Sequence, residues 1–229
     1  EPEEVPIAET APLQFTSPYG FTKVASEQIL TQAAAADPWA FGVLRYFNVA
    51  GAEPLARSGQ STAGATHLIK VAIEAALGSR ESVSVFGTDY ATPDGTGVRD
   101  YIHVEDLGSA HLRALDYLAS GGLSTTLNCG YGHGYSVREV LQMVERVNGG
   151  TPLPVVESPR RAGDPPSLVA RAEQLGLLRR DLVRLAIDGA ERAEHVAVGQ
   201  AAPDGIGEAE TRVLAGFVEL PGLLAKKSP

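Results

Sequence analysis

The stretch Ser17-Pro18-Tyr19-Gly20-Phe21-Thr22-Lys23 marks the beginning of a helix, and it is the starting point for predicting the other elements of the fold. Ser17 is a good N-cap, and Pro18 has a backbone angle that suits a first helical turn. The residues that follow are rich in helix formers and end at an Asp-Pro pair, where the residue before proline leaves the helical region. The sequence therefore predicts a helix over Pro18–Ala36.

Tyr19 and Lys23 lie four residues apart on this helix, so their side chains share one face. An isolated phenol ionises near pH 10, and a fixed positive charge beside a phenol stabilises the phenolate. Tyr-x-x-x-Lys is therefore a way to make a general base that works near neutral pH. The same spacing also occurs by chance on surface helices, so the pair alone does not establish catalysis.

Strands and helices alternate along the rest of the chain, which predicts an α/β fold with a right-handed parallel sheet. The apolar run Phe41–Phe47 is typical of a strand buried on both faces, and Val98–Val104 of a second, paired strand. Asn48–Ala65 has no strong period and is predicted to be loop. The other predicted strands are Ser82–Phe86, Thr125–Asn128 and Leu153–Val156, and the other helices are Thr66–Leu77, Glu105–Ala119 and one that Ser136 caps.

Composition and charge narrow the classes of protein. Among 229 residues, 19 basic and 28 acidic side chains give a net charge of −9, which argues against a nucleic-acid partner. No apolar run approaches about 18 residues and no signal peptide is visible, so we expect no membrane span and a cytoplasmic location. The single cysteine, Cys129, fits a reducing compartment and is expected to be a buried strand residue. His103 is expected to have a structural role within a strand.

Several motifs, in this order along the chain, match one family. They are Ser17-Pro18-Tyr19-Gly20-x-x-Lys23, Arg45-Tyr46-Phe47-Asn48-Val49-Ala50-Gly51-Ala52, Val85-Phe86-Gly87-Thr88-Asp89-Tyr90, Asp94-Gly95-Thr96-Gly97-Val98-Arg99-Asp100-Tyr101-Ile102-His103-Val104, Leu127-Asn128-Cys129-Gly130 and Pro159-Arg160-Arg161-Ala162-Gly163-Asp164. From about Glu1 to Ala170, the chain resembles the UDP-glucose (UDP-galactose) 4-epimerases of the extended short-chain dehydrogenase/reductase superfamily.

The resemblance implies an NAD-dependent isomerase. Tyr19 would take the proton from the 4-hydroxyl of the sugar while C4 gives its hydride to NAD⁺, and the hydride would return to the other face of the 4-keto sugar. Lys23 would hold the nicotinamide ribose, and Tyr46 would also contact the cofactor. A homodimer is the assembly that the resemblance implies.

The resemblance also assigns the UDP-sugar. Arg99 and Arg161 would clamp its diphosphate, which suits guanidinium forks, and Asp164 would accept hydrogen bonds from the uridine ribose. A structural alternative stays open for each: Arg99 could pair with Asp100 or Asp106, and Arg161 and Asp164 could tie a loop.

The resemblance places further residues around the substrate. Asn48 would hold it near the diphosphate, and Tyr101, Phe86 and Leu68 would shape the nucleotide and uracil pocket, although both aromatic residues could instead belong to the core. Leu168 falls where the family sets the pocket size at the sugar. A leucine there leaves room for N-acetylated sugars.

The predicted domain division follows from this resemblance. Residues 1–65 are predicted to be the carboxyl-terminal part of a Rossmann-like NAD-binding domain, to which residues 98–120 partly return. Residues 66–170 are predicted to form mainly a smaller α/β domain that binds the UDP-sugar, and residues 171–229 an atypical tail of unknown role.

The chain departs from the family before Tyr19, where no glycine-rich turn for the NAD diphosphate occurs. The family's acidic residue for the adenine ribose and its Ser/Thr beside the tyrosine are also missing. We therefore expect this chain alone to bind NAD poorly and to show little epimerase activity. Two alternatives stay open: a non-catalytic UDP-sugar-binding fragment, and another NDP-sugar dehydratase or decarboxylase of the same superfamily.

Overall fold

The computed structural model describes residue 2 and residues 4–15, 17–53 and 57–172, so the predicted tail lies outside the described residues from residue 173 onward. The helices in these ranges are α1 (Pro18–Ala36), α2 (Leu68–Ala76), α3 (Val104–Ala119) and α4 (Val137–Val147). The strands are β1 (Gly42–Tyr46), β2 (Asn48–Ala50), β3 (Val83–Phe86), β4 (Val98–His103), β5 (Thr125–Cys129), β6 (Gly134–Ser136), β7 (Val155–Ser158) and β8 (Ser167–Leu168).

Strand pairing is mainly parallel, as the alternation of elements predicts. β1 pairs with β5, β2 with β4, β3 with β7 and β8 with β4, all in parallel, while β6 is antiparallel to β4. β4 is thus paired, as expected, but its partners are β2, β6 and β8 rather than the preceding strand β3. Parallel neighbours must be reached by crossover connections, which is why strands distant in sequence meet here.

Two predicted helix caps are confirmed. The hydroxyl of Ser17 accepts a hydrogen bond from the amide of Gly20 at 3.1 Å, at the beginning of α1. The hydroxyl of Ser136 accepts one from the amide of Glu139 at 3.0 Å, and the carboxylate of Glu139 accepts one from the amide of Ser136 at 2.7 Å. Both partners of this capping box satisfy amide donors that a helix terminus otherwise leaves unpaired.

Two apolar clusters form the core. The larger one packs α2 and α4 against the sheet, with Ile73, Val83, Val140 and Val144 almost fully buried. The smaller one lies under α3 and includes Cys129, which is a free, fully buried thiol as predicted. Burial raises the pKa of Cys129 to about 11, so the thiol stays protonated and acts as a small apolar side chain.

Three expectations about the elements are wrong. β1 is only partly buried, because within the described residues it pairs with β5 alone and α3 packs against it. Asn48–Ala50 is a strand rather than loop, since pairing with β4 compensates for a weak pattern. The apolar spacing of α3 predicts Leu115 and His111 on its buried side, but both are exposed, because the contacts of that helix are with β1, β2 and β4 on one side.

His103 has the structural role that was expected, but at the end of a strand rather than within one. Its Nδ1 accepts a hydrogen bond from the amide of Glu105 at 3.3 Å and so caps α3. Its ring packs against Gly51, where a Cβ would lie 2.2 Å from His103 Nε2. Glycine at this position, with φ of +89°, allows the close approach of β2 to the beginning of α3.

Candidate active site

A pair of opposite charges lies at the edge of β4, where the sequence predicts diphosphate and ribose contacts. Nη2 of Arg99 donates a hydrogen bond to the carboxylate of Asp164, and the side chains are 13% and 34% exposed. Nη1 of Arg99 donates to the carbonyl of Val98 at 2.8 Å. The alternative pairings of Arg99 with Asp100 or Asp106 are not observed, so the guanidinium faces the loop that carries Asp164.

Arg161 stacks on an aromatic ring beside this pair. Its guanidinium carbon lies 3.8 Å from the centroid of the Phe86 ring, at the end of β3. Stacking uses the flat face of the guanidinium and leaves its N–H groups at the edge, where they can donate to a planar or phosphate acceptor. Phe86 therefore serves here as a platform for a cation and is half-buried rather than a core residue.

The loop between β7 and β8 brings these side chains together. The amide of Asp164 donates to the carbonyl of Arg161 at 3.2 Å, which closes a turn containing Gly163 at φ +76°. β8 then pairs with β4, with Leu168 opposite Arg99. Phe86, Arg99, Arg161 and Asp164 form one group, called here the arginine cluster, and Leu168 lies next to it.

A cavity of about 560 Å³ opens beside β2 and β4. Asn48, Leu68 and Tyr101 line it, and Asn48 is directly opposite Tyr101 in the parallel register. Its volume is within the usual range for sites that bind small molecules. Tyr101 is only 5% exposed and belongs to the larger apolar cluster, so it is at once a core residue and part of the cavity wall. Burial raises the pKa of Tyr101 above its usual range, so this phenol stays neutral.

The cavity wall also contains polar residues that the sequence did not single out. Glu53, Gln60, His67 and Glu105 are among them, and Nε2 of Gln60 lies 2.6 Å from Nδ1 of His67. Several of these follow β2 in a segment without hydrophobic period. No sequence signal could have placed them at the cavity, because their position depends on where that segment returns to α2.

The Tyr19–Lys23 pair lies on the first turns of α1, as the spacing predicts. Nζ of Lys23 is 5.1 Å from the centroid of the Tyr19 ring, and Tyr19 is 72% exposed. No hydrogen bond, ion pair or ring contact joins this pair to the other predicted site residues within the part of the chain that the structure describes. The phenol and the ammonium thus share one face, open to a ligand.

Arg45 ties the helix of this pair to the sheet. Its guanidinium donates two hydrogen bonds to the carboxylate of Glu27 on α1, at 2.9 and 2.6 Å, and a third to the carbonyl of Glu9 at 2.8 Å. Both charged side chains are about one-fifth exposed, so the pair is largely shielded from water. A charged residue inside the apolar run of β1 indicates that Arg45 needs an ionic partner, but the sequence does not show that this partner is Glu27.

Tyr46 ends β1 at the same edge of the sheet from which Asn48 continues. Its ring is half-exposed and lies 6.0 Å from the ring of His111, centroid to centroid. The carboxyl ends of parallel strands form the crevice in which open α/β sheets bind ligands. Tyr46, at the carboxyl end of β1, is therefore at such a crevice, and Asn48 follows it as the first residue of β2.

Asp100 is a fully buried carboxylate that the sequence did not identify as important by itself. It accepts hydrogen bonds from the amides of Tyr131, Gly132 and Ala170 at 2.9, 3.0 and 3.1 Å. Burial raises the pKa of Asp100, against these hydrogen bonds, which favour the charged form. The carboxylate joins β4, the turn before β6 and the segment after β8, and so supports Arg99 from behind the strand.

Comparison with known proteins identifies the family. The family model described as "NAD dependent epimerase/dehydratase family" matches residues 1–130. The chain belongs to this family. It is 51% identical over 213 residues to the UDP-glucose 4-epimerase of Azospirillum brasilense, a match that covers 89% of this chain and 61% of that protein. The family and its NAD dependence agree with what the sequence motifs imply.

Solved structures agree with this assignment. A UDP-glucose 4-epimerase from Stenotrophomonas maltophila, with bound NAD and formylated UDP-arabinopyranose, is 42% identical with a TM-score of 0.73, over 76% of this chain and 52% of that one. The enzyme from Bifidobacterium longum, in complex with NAD⁺ and UDP, is 34% identical with a TM-score of 0.72, over 95% and 60%. The predicted Rossmann-like α/β fold class is therefore confirmed. The chain spans about half to three-fifths of the length of these relatives.

Two kinds of feature are absent from the described residues. No helix there is long and apolar enough to cross a lipid bilayer. No group of three or more His, Cys, Asp or Glu side chains in those ranges could hold a metal ion.

Proposed function

We propose that this chain carries the UDP-sugar site and the proton-transferring pair of a UDP-glucose 4-epimerase, which interconverts UDP-glucose and UDP-galactose. The observation that carries the proposal is the arginine cluster. Arg99 pairs with Asp164, and Arg161, joined to Asp164 by a backbone hydrogen bond, stacks on Phe86. Both arginines come from motifs that resemble those of the 4-epimerases. The chain as a whole has a net charge of −9, so these two arginines do not belong to a general basic surface. Their presence at one site therefore indicates an anionic ligand.

The cluster suits the two ends of a nucleoside diphosphate. Arg99 and Arg161 would donate to the phosphate oxygens, where charge-assisted hydrogen bonds are the strong ones. Asp164 would then accept from the ribose hydroxyls while it keeps its contact with Arg99. The pairing seen between Arg99 and Asp164 supports this assignment, because it holds both groups in place before the ligand arrives.

The cavity beside β2 and β4, whose wall contains no residue of the arginine cluster, would hold the rest of the substrate. Asn48 would hydrogen-bond near the diphosphate, and Leu68 and Tyr101 would line the nucleotide pocket. Leu168, next to Arg99, would set the space at the sugar, and its size favours acceptance of N-acetylated sugars. The division into a Rossmann-like part, residues 1–65 with a return at 98–120, and a UDP-sugar part, residues 66–170, belongs to the same proposal.

Tyr19, Lys23 and Tyr46 suit the nicotinamide ribose end of NAD. Their hydroxyl and ammonium groups are exposed donors at the beginning of α1 and the end of β1. When bound, NAD would supply a reversible acceptor for the hydride of the sugar C4. Tyr19 would take the proton from the 4-hydroxyl and later give it back, with Lys23 stabilising the phenolate. A glycine-rich turn for the NAD diphosphate does not occur before Tyr19 in this sequence.

The exposure of Tyr19 favours a second candidate function, a non-catalytic UDP-sugar-binding protein. None of the residues of α1 is buried, so the described part of the chain does not enclose the base. Water can enter a site that is not enclosed, and it weakens the electrostatic interactions between the groups there.

We also propose a homodimer and a cytoplasmic location. The family supports the first proposal, and the single buried thiol supports the second.

Calorimetry with UDP and with NAD⁺ tests the proposal on the 229-residue chain. We expect UDP to bind measurably and NAD⁺ to bind much more weakly, because the arginine cluster is in place whereas no residue of α1 is buried and Tyr19 is 72% exposed. We also expect little conversion of UDP-glucose by this chain. A chain that fails to bind UDP would contradict the proposed site, and normal turnover would contradict the expected weakness towards NAD.

A further inference from the structure

Arg160 makes contacts that the proposed roles do not use. Its guanidinium carbon lies 4.2 Å from the centroid of the Tyr90 ring. Its Nε donates a hydrogen bond to the carboxylate of Asp89 at 2.7 Å, and Nη2 donates to the carbonyl of the same residue. Through Arg160, the loop after β7 is held to the loop after β3 by one stacking contact and two hydrogen bonds.

Gly87 makes room for this arrangement. A Cβ at this position would lie 2.5 Å from a ring carbon of Tyr90 and 2.7 Å from Cγ of Arg160, and the residue has φ of +81°. Its amide donates to the carbonyl of Ser158 at 2.8 Å, which joins the same two loops through the backbone. Tyr90 is only 7% exposed, so the ring under Arg160 is fixed by packing.

Arg161 therefore lies between two anchors. On one side, Arg160 is held by Tyr90 and Asp89, and on the other side Asp164 is held by Arg99. The side chain of Arg161 has only its stack on Phe86 among the hydrogen bonds, ion pairs and ring contacts of the described residues. The hydrogen bond from Arg160 also lowers the pKa of Asp89, which favours the charged form of this carboxylate.

We propose that Arg160 is a positioning residue, which holds the backbone of Arg161 so that the Arg161 guanidinium stays on Phe86 and meets a diphosphate without reordering. The proposal rests on the proposed function only for the identity of the ligand. If a side chain and its loop are already ordered before binding, they lose little conformational entropy when the ligand binds, and the affinity is higher. The proposal assigns Arg160 no ligand contact, because its Nε and Nη2 donate to Asp89 and its guanidinium stacks on Tyr90.

Calorimetry with UDP and with uridine tests the proposal. Arg160→Met is expected to weaken UDP binding about tenfold, the size of one or two reordered side chains, and to leave uridine binding unchanged. Arg160→Lys, which keeps the charge but not the planar fork, is expected to recover part of the loss. Arg138→Met is the matched control, because it removes an exposed arginine that pairs with Glu157 at 2.9 Å outside the cluster. It is expected to leave both affinities unchanged.

A double-variant comparison separates positioning from general destabilisation. In an Arg161→Met background, Arg160→Met should cause no further loss of UDP affinity. A further tenfold loss there, an equal loss for uridine, or wild-type affinity in Arg160→Met would overturn the proposal. The NMR signal of Arg161 Nε–H in the ligand-free chain gives a readout that does not need UDP. Loss of its ring-current shift in Arg160→Met supports positioning, and an unchanged shift contradicts it, even if UDP fails to bind and the proposed function falls.

Discussion

Tyr19→Phe is expected to lower the epimerase turnover number about 10²- to 10⁴-fold, the usual contribution of a general acid–base group. Phenylalanine keeps the ring that Lys23 approaches at 5.1 Å but has no hydroxyl to exchange a proton with the sugar. The assay needs an active protein of full family length. A suitable one is the Azospirillum brasilense relative with its matched region replaced by the corresponding residues of this chain.

Tyr117→Phe in the same hybrid protein is the control for this change. Its hydroxyl accepts a hydrogen bond from the amide of Leu123 at 3.2 Å, at the far end of α3, and has no place in the proposed chemistry. Turnover should stay near that of the parent hybrid. A Tyr19→Phe hybrid that turns over as fast as the parent would remove Tyr19 from the mechanism.

Asp100→Ala is expected to lower the free energy of unfolding by about 3–5 kcal/mol, a large share of the 5–15 kcal/mol typical of a domain. The change leaves the amides of Tyr131, Gly132 and Ala170 without their acceptor; Ala170 is fully buried, Tyr131 is half-buried and Gly132 is exposed, while the acceptor itself is fully buried. Each unsatisfied buried donor costs about 1–3 kcal/mol. Urea unfolding followed by circular dichroism measures the decrease in the free energy of unfolding. A variant that does not fold at all would represent the largest decrease.

Two companion variants show whether the loss comes from these amides. Asp100→Asn keeps one carbonyl oxygen as an acceptor and should lose less than Asp100→Ala. Asp116→Ala removes an exposed carboxylate from α3 and should change stability by less than about 0.5 kcal/mol. An Asp100→Ala protein with the parent's urea midpoint would show that the three hydrogen bonds contribute little.

Local signals in the sequence were enough for the helices. Ser17 and Ser136 act as caps at the predicted positions, and α1 has the predicted bounds. Capping depends on residues three or four apart, so one short stretch contains all the information. Exposure was less predictable, since the apolar run of β1 is only partly buried. The apolar pattern shows which side chains of a strand could be buried, whereas their actual burial depends on which other elements pack against that strand.

Pairing between distant segments could not be predicted from pattern alone. Arg99 and Asp164 are 65 residues apart, and their contact depends on β8 returning beside β4. The motifs indicated that both residues matter, but the sequence left open whether Arg99 pairs with Asp100 or Asp106. The role of Asp100 was missed for the same reason, because its three partners are backbone amides, which carry no side-chain signature.

Product analysis of the hybrid protein with UDP-glucose and NAD⁺ tests the central claim most directly. We expect UDP-galactose as the product, formed without net change in NAD⁺, because Tyr19 and Lys23 serve only a reversible oxidation at C4. A keto-deoxy sugar would instead indicate a 4,6-dehydratase, and a UDP-pentose would indicate a decarboxylase. Either product would contradict the assignment of this site to a 4-epimerase.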